Sequence, residues 1–269
     1  MKTQRIVVKV GTSTLTRESG SRNLRSMDRL ARVLSDLKGM GHEVILVSSG
    51  AIGIGTSKLG LKQRPVELRM KQAAAAIGQC EMIHIYDQFF SDYGQTVAQI
   101  LLTGDDVKDP VRSAHLAGTF SALLELGVIP VVNENDSVSS DEIETGQDRV
   151  LGDNDTLSAI VAQLCGAGLL ILLSDIEGLY DADPHKHPDA KLISEVREIT
   201  PEIRALAGGV GSKWGTGGMS TKISAAERAM EAGIDMVVAN GQNMDALYDI
   251  VEGKDVGTRF LGGSRERRP

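Results

Sequence analysis

Arg5-Ile6-Val7-Val8-Lys9-Val10-Gly11-Thr12-Ser13 is an apolar, β-branched run interrupted by one lysine and closed by glycine. An almost wholly apolar run of this length suits a strand covered on both faces, and the Gly-Thr-Ser after it suits a turn. Comparable runs recur at Glu43 to Ser48, Thr96 to Leu101, Ile129 to Asn133, Leu169 to Leu173 and Asp235 to Ala239. Longer helical patterns separate them, at Met27 to Lys38, Glu67 to Phe90, Val111 to Leu126, Thr156 to Leu164 and Thr221 to Ala232. Strand and helix alternating in this way predict an α/β fold with a mostly parallel central sheet sandwiched between helices, a three-layer arrangement. The sequence holds no internal repeat, low-complexity tract or Pro/Ser linker. The polar segment Asp136 to Asp153 reads as a hairpin or flap, so a single domain over residues 1–269 is expected.

The net charge of -7 repels phosphate backbones and anionic lipid, so neither nucleic acid nor membrane is an expected partner. Arg265, Arg267 and Arg268 form the one basic cluster, and arginines at a chain end read as a frayed, solvated terminus. Only 3% of residues are aromatic, so the core must be aliphatic. Cys80 and Cys165 each fall within an apolar helical pattern, where a free thiol behaves as a small buried hydrophobe, and no disulfide framework is implied. No stretch has the length of a signal peptide's apolar region or of a membrane span, which makes the cytoplasm the expected compartment.

Sites on parallel sheets gather at the carboxyl ends of the strands. The segments found there are rich in Gly, Ser, Asn and Asp: Gly11-Thr12-Ser13, Ser48-Ser49-Gly50-Ala51-Ile52-Gly53, Asn133-Glu134-Asn135-Asp136-Ser137 and Ser174-Asp175-Ile176-Glu177-Gly178. Gly215-Thr216-Gly217-Gly218-Met219-Ser220-Thr221-Lys222 adds a glycine-rich entry to a helix. Together they predict one shared pocket. Gly11, Gly50, Gly53 and Gly55 let backbone N–H groups approach an anion, although any one of them taken alone reads as a tight turn. Neither a dinucleotide fingerprint nor a P-loop is present.

Lys9 interrupts an apolar strand and Lys222 sits in the first turn of a helix, so both are placed to meet an anion rather than solvent. The alternative for Lys9 is an edge-strand lysine with its head in water. Two cations converging on a glycine-cradled anion fit phosphoryl transfer, which relies on positioning and charge stabilisation. Asp136, Asp153, Asp155 and Asp175 supply carboxylates. Asp153 is equally well read as a helix N-cap, and Asp155 as the group that holds both lysines in register. A serine, histidine and acid triad is not credible, because His42, His84 and His115 fall in helix or loop positions. His185 and His187 lie in a Pro-flanked turn, and two ligands alone seldom make a metal site, so no protein metal ligands are expected.

These segments, with Lys71-Gln72-Ala73-Ala74-Ala75-Ala76-Ile77-Gly78-Gln79 and Gly152-Asp153-Asn154-Asp155, resemble the glutamate 5-kinases of the amino acid kinase superfamily over essentially the whole chain. The resemblance implies an amino acid kinase fold and transfer of the γ-phosphoryl group of ATP, with Mg²⁺, to the side-chain carboxylate of L-glutamate, a first step of proline synthesis. It implies Lys9, Gly11, Ser174, Asp175, Thr216, Gly217, Gly218, Met219, Ser220, Thr221 and Lys222 on the nucleotide side. Ser49, Asp136 and Asn154 fall on the glutamate side, with Lys9, Lys222 and Asp155 as the catalytic set. An ionised carboxylate nucleophile needs no general base, which fits the lack of a catalytic histidine. The resemblance further implies L-proline as a feedback inhibitor and a homo-oligomer, dimer or tetramer, with the helix around Ala73 to Phe90 as its contact or else as core. Many members of the family carry a C-terminal accessory domain, and the resemblance here implies the catalytic domain alone. A sister kinase with a different acceptor and a non-catalytic nucleotide sensor are the competing readings, and the paired lysines argue against the sensor.

Overall fold

The computed structural model describes residues 3–16, 22–138, 151, 153–184, 186–207 and 218–263. Thr216, Gly217, His185, the C-terminal arginines and most of the expected flap lie outside the described residues. In chain order the elements are β1 (Arg5–Val10), α1 (Thr12–Leu15), α2 (Leu24–Gly39), β2 (Glu43–Ser48), α3 (Ala51–Lys58), α4 (Leu68–Asp92), β3 (Val97–Leu102), α5 (Gly104–Lys108) and α6 (Pro110–Glu125). They continue as β4 (Ile129–Glu134), α7 (Asn154–Leu164), β5 (Leu169–Ser174), β6 (Glu195–Val196), α8 (Pro201–Leu206), α9 (Met219–Glu231), β7 (Asp235–Asn240), α10 (Ala246–Val251) and β8 (Thr258–Phe260).

Among the described residues the strands form one sheet in the order β3-β4-β2-β1-β5-β7-β8-β6, parallel throughout except where β7 meets β8. Each strand expected from the sequence is present, with ends within one residue of those expected. β6 and β8 are too short to carry a readable pattern.

The chain runs from β1 out to β2, β3 and β4 on one side, then crosses to β5 and β7 on the other. β1 is therefore where the winding reverses, and a crevice opens outside the carboxyl ends at such a switch point. Lys9 pairs in register with Val47 of β2 and Leu172 of β5, so it sits inside the sheet and not on an edge.

Side chains alternate across β1. Ile6, Val8 and Val10 enter the apolar layer with Met27, Leu30, Leu34, Met82 and Tyr86 of α2 and α4. Val7 enters the opposite layer with residues of α7 and α9. Lys9 shares the face of Val7 by the two-residue period of a strand, which points it at the helices that carry Asp155 and Lys222.

α3 and α4 cross with almost no space between them. A Cβ on Gly55 would lie 1.8 Å from the carbonyl oxygen of Ala74, and one on Gly78 would lie 1.7 Å from that of Ala51. Gly55 thus serves helix packing rather than an anion cradle, and the Gly-rich stretch from Ala51 is helix rather than loop. A second correction concerns Cys80. Cys165 is buried as expected, but Cys80 is exposed, because it lies on the outward side of α4 while Gly78 and Gln79 turn inward.

Candidate functional site

The hub of the carboxyl-end crevice is a carboxylate, Asp155, in the first turn of α7. Asp153 ends the preceding segment in an extended conformation, and its Oδ1 accepts from the backbone N–H groups of Asp155 at 2.7 Å and Thr156 at 3.0 Å. That cap fixes where the helix begins and which way the next side chains project. Asp155 is 1% exposed, and its Oδ1 lies 2.6 Å from Lys9 Nζ while Oδ2 lies 3.2 Å from Lys222 Nζ. Thr221 Oγ1 donates to Oδ2 at 2.8 Å.

Burial alone would push the Asp155 carboxyl up. The ammonium groups of Lys9 and Lys222, with the hydroxyl of Thr221, outweigh it and bring the carboxyl down to about 2. Asp155 is therefore ionised at neutral pH. Asp153, by contrast, is pushed up, chiefly by burial and further by the neighbouring Asp155 charge, against the opposing backbone N–H of Thr156.

One ionised carboxylate facing two lysines leaves a local excess of positive charge. Such a pair of partly buried cations has its geometry fixed before any ligand arrives, and an incoming polyanion completes the neutralisation.

The neighbouring residue serves the other half of the crevice. Asn154 Nδ2 lies within donating distance of the carbonyl oxygen of Ser48 at 3.0 Å, Ser49 Oγ at 2.7 Å and Asn133 Oδ1 at 3.1 Å. Asn133 Nδ2 in turn donates to Gln79 Oε1 at 2.9 Å. These contacts tie the ends of β2 and β4 and the middle of α4 to the start of α7. A cleft of about 350 Å³ adjoins them, lined in part by Gln79, Ala51, Glu134, Asn135 and Asp136.

On the opposite side of β1, Ser174 closes β5 and its Oγ donates to Asp175 Oδ1 at 3.1 Å, with Asp175 exposed. Asn240 at the end of β7 donates to Glu177 Oε1 at 2.7 Å. Gly218 is the N-cap of α9, which begins at Met219, so Ser220, Thr221 and Lys222 occupy its first turn. Gly11 follows β1 in an extended conformation, and a Cβ there would make only ordinary contacts with Lys9 and Ser13. Its glycine is thus not demanded by space in the protein itself.

The structure brings Lys9, Lys222, Thr221 and Asp155 into contact with one another, and Ser49 into contact with Asn154. Asp136 lies in the turn after β4, in the wall of the cleft. Thr216 and Gly217 are outside the described residues. Sequence reasoning passed over the connecting roles of Asn133 and Gln79. The available signal was a glutamine on a buried helix face otherwise made of small, aliphatic and aromatic residues. Among the described residues no group of three His, Cys, Asp or Glu side chains is arranged to hold a metal.

Against known proteins, the Amino acid kinase family matches residues 4–240. A glutamate 5-kinase from Clostridium perfringens is 54% identical over 98% of this chain and 97% of its own length. One from Listeria monocytogenes is 52% identical over 98% and 95%. Among solved structures, carbamate kinase from Giardia lamblia bound to AMP-PNP has a TM-score of 0.67 at 16% identity, covering 96% of this chain and 98% of that one. Isopentenyl phosphate kinase from T. acidophilum has a TM-score of 0.64, also at 16% identity, covering 95% and 99%. At such identity these two share the fold alone. With the family match over most of its length and more than half of its residues in common with curated relatives, the chain belongs to the amino acid kinase family and, within it, to the glutamate 5-kinases.

Proposed function

We propose that the protein transfers the γ-phosphoryl group of ATP to the side-chain carboxylate of L-glutamate, giving glutamyl 5-phosphate and ADP, the opening step of proline synthesis. The observation that carries this reading is the junction at the start of α7. Asp155 there joins the two lysines, and Asn154 beside it joins Ser49 and Asn133. One helix start thus serves both the phosphate side and the acceptor side.

In the step itself a γ-carboxylate oxygen of glutamate forms a bond to the γ-phosphorus while the bond from that phosphorus to the β,γ-bridging oxygen breaks, and ADP departs with the electron pair. The nucleophile is ionised at neutral pH, so no residue has to remove a proton. Lys222 and Lys9 offset charge on the transferring group and the leaving phosphate, where the transition state spreads it over the phosphoryl oxygens. Ser174, Asp175, Gly11 and the residues from Thr216 to Lys222 form the nucleotide side. Ser49, Asp136 and Asn154 form the acceptor side. Asp155 is already taken by the two lysines, so Mg²⁺ would be held chiefly by the nucleotide rather than by described side chains, and would supply charge neutralisation there.

Residues 1–269 are read as one catalytic domain acting in the cytoplasm as a homo-oligomer, with L-proline as its feedback inhibitor. No described helix is long and apolar enough to cross a membrane. A coupled assay of ADP release with glutamate, N-acetylglutamate, aspartate and uridine monophosphate as acceptors tests the function. The expected result is turnover with glutamate far above the others, and turnover with another acceptor in its place would overturn the reading.

A further inference from the structure

Gln79 is a buried amide on a helix face that is otherwise apolar. It is 8% exposed, between Ala75 and Met82, which are buried on the same helix. A polar side chain in such a place costs stability unless its groups are bonded. Gln79 is only half bonded: Oε1 accepts from Asn133 Nδ2, while Nε2 has no hydrogen-bond partner among the described residues. Methionine or leucine would fill a similar volume without the unmet donor, so packing does not explain the glutamine.

We propose that Gln79 is a positioning residue for the acceptor amino acid, acting through Asn133 to brace the amide chain that ends at Asn154 and Ser49. The inference rests on the acceptor reading given above.

The two ends of an asparagine amide have nearly the same shape, so only its partners decide which end points where. The backbone carbonyl oxygen of Ser48 accepts and cannot donate, which turns Nδ2 of Asn154 toward it; Asn133 then meets Asn154 with Oδ1 and is left to donate from Nδ2 to Gln79 Oε1, the brace at the far end of the chain. Asn154 then spends its N–H groups on Asn133, Ser48 and Ser49. What Asn154 retains for a ligand is its carbonyl oxygen, an acceptor. Gln79 and Asp136 line the same cleft. An amide oxygen and a carboxylate, both assigned above to the acceptor side, suit an ammonium group, the one positive group of an α-amino acid. Without Gln79 Oε1 the Nδ2 of Asn133 loses the acceptor that braces it, and Asn133 is free to swing away from Asn154 and loosen the hold on that oxygen.

The test is steady-state kinetics of Gln79→Met, Gln79→Glu, Asn133→Ala and the double variant Gln79→Met/Asn133→Ala, with melting temperatures to confirm folding. Gln79→Met is expected to raise the KM for glutamate about five- to tenfold, with kcat and the KM for ATP within about twofold of the parent, a split that general loosening of the core would not give. Gln79→Glu keeps an oxygen facing Asn133 and is expected to stay within about threefold of the parent KM. In the Asn133→Ala background Gln79→Met should add almost nothing, since the path to Asn154 is already cut. An unchanged KM for glutamate in Gln79→Met, equal rises for both substrates, or additive losses in the cycle would each overturn the inference. If Gln79→Met does not fold, Gln79→Glu decides, and a rise beyond about fivefold counts against it. Glutamate-dependent ADP release by the parent, measured in the same series, separates failure of this inference from failure of the reading beneath it.

Discussion

Lys9 and Lys222 are held by opposite oxygens of one carboxylate, at 2.6 Å and 3.2 Å, although they come from a central strand and a helix 213 residues away along the chain. Neither lysine is more than 9% exposed, and Asp155 is nearly sealed. Such a group is costly to break and geometrically exact in what it offers a ligand, which suits a site whose catalysis is electrostatic.

Lys222→Ala is expected to lower kcat by about a hundredfold or more while the KM for ATP changes by less than about threefold. The lysine is assigned to charge that develops in the transition state, and an interaction made only there appears in kcat. Steady-state kinetics with saturating glutamate checks it. Activity equal to the parent's would remove Lys222 from the mechanism.

Asp155→Asn is expected to make unfolding less sensitive to acid. The folded protein holds the Asp155 carboxyl at about 2, below its ordinary 3.8, because the ammonium groups of Lys9 and Lys222 outweigh burial. A depressed carboxylate contributes stability that is present above pH of about 4 and is lost as pH falls toward about 2, on the order of 2 kcal/mol. Urea unfolding of parent and variant across that window should show a shallower loss in the variant. The variant should also be less stable at pH 7, by about 3 kcal/mol, since two buried lysines lose their anion. Parallel pH profiles would show that the carboxylate is not the acid-sensitive group.

Gly55→Ala is expected to destabilise the fold by about 3 kcal/mol, because the added methyl would fall 1.8 Å from the carbonyl oxygen of Ala74 and backbone cannot step aside cheaply. Separating α3 from α4 also moves the helix that follows Ser49 against the helix that carries Gln79. Denaturant midpoints should drop and the KM for glutamate should rise in the same variant. A midpoint unchanged from the parent would mean that the helices separate freely.

Much of this arrangement can be read in the sequence because the strands are apolar on both faces and stand out from the helices. The run Ile6-Val7-Val8-Lys9-Val10 announces a buried strand, and its one lysine is legible as an anomaly because burial is costly for a cation. Long-range pairing is what the sequence hides. Asp155 is legible as a group that could hold both lysines, but its pairing with Lys9 rather than that of Asp153 or Asp175 is decided by which face of β1 α7 covers. Gly53 and Gly55 look like a phosphate loop because glycine serves a close approach of any kind, and only the crossing with α4 reveals that the neighbour of Gly55 is a helix. Cys80 misleads for a related reason, as one helix turn carries both inward and outward positions. Gln79 and Asn133 escape because amides have no charge to betray a role, and their meaning lies in which end faces which.

Asp136→Asn is expected to weaken glutamate binding and to narrow the preference for glutamate over N-acetylglutamate. Asp136 is half-buried in the turn after β4, beside Asn135, and lines the cleft that Gln79 and Ala51 also border. A carboxylate in a site for a dicarboxylic amino acid is repulsive unless it meets the substrate's one positive group, the α-ammonium. N-acetylglutamate has no such group, so in the parent its carboxylates meet the Asp136 charge with no ammonium to offset the repulsion. Replacing the carboxylate by an amide removes the attraction for glutamate, raising its KM by about tenfold or more for a charged contact of about 1.5–3 kcal/mol. The same change lifts the penalty on the acetylated acceptor, so the two effects push the ratio of kcat/KM values in one direction. Measuring kcat/KM for both acceptors in parent and variant decides the matter, and an unchanged ratio would place recognition of the ammonium on other residues.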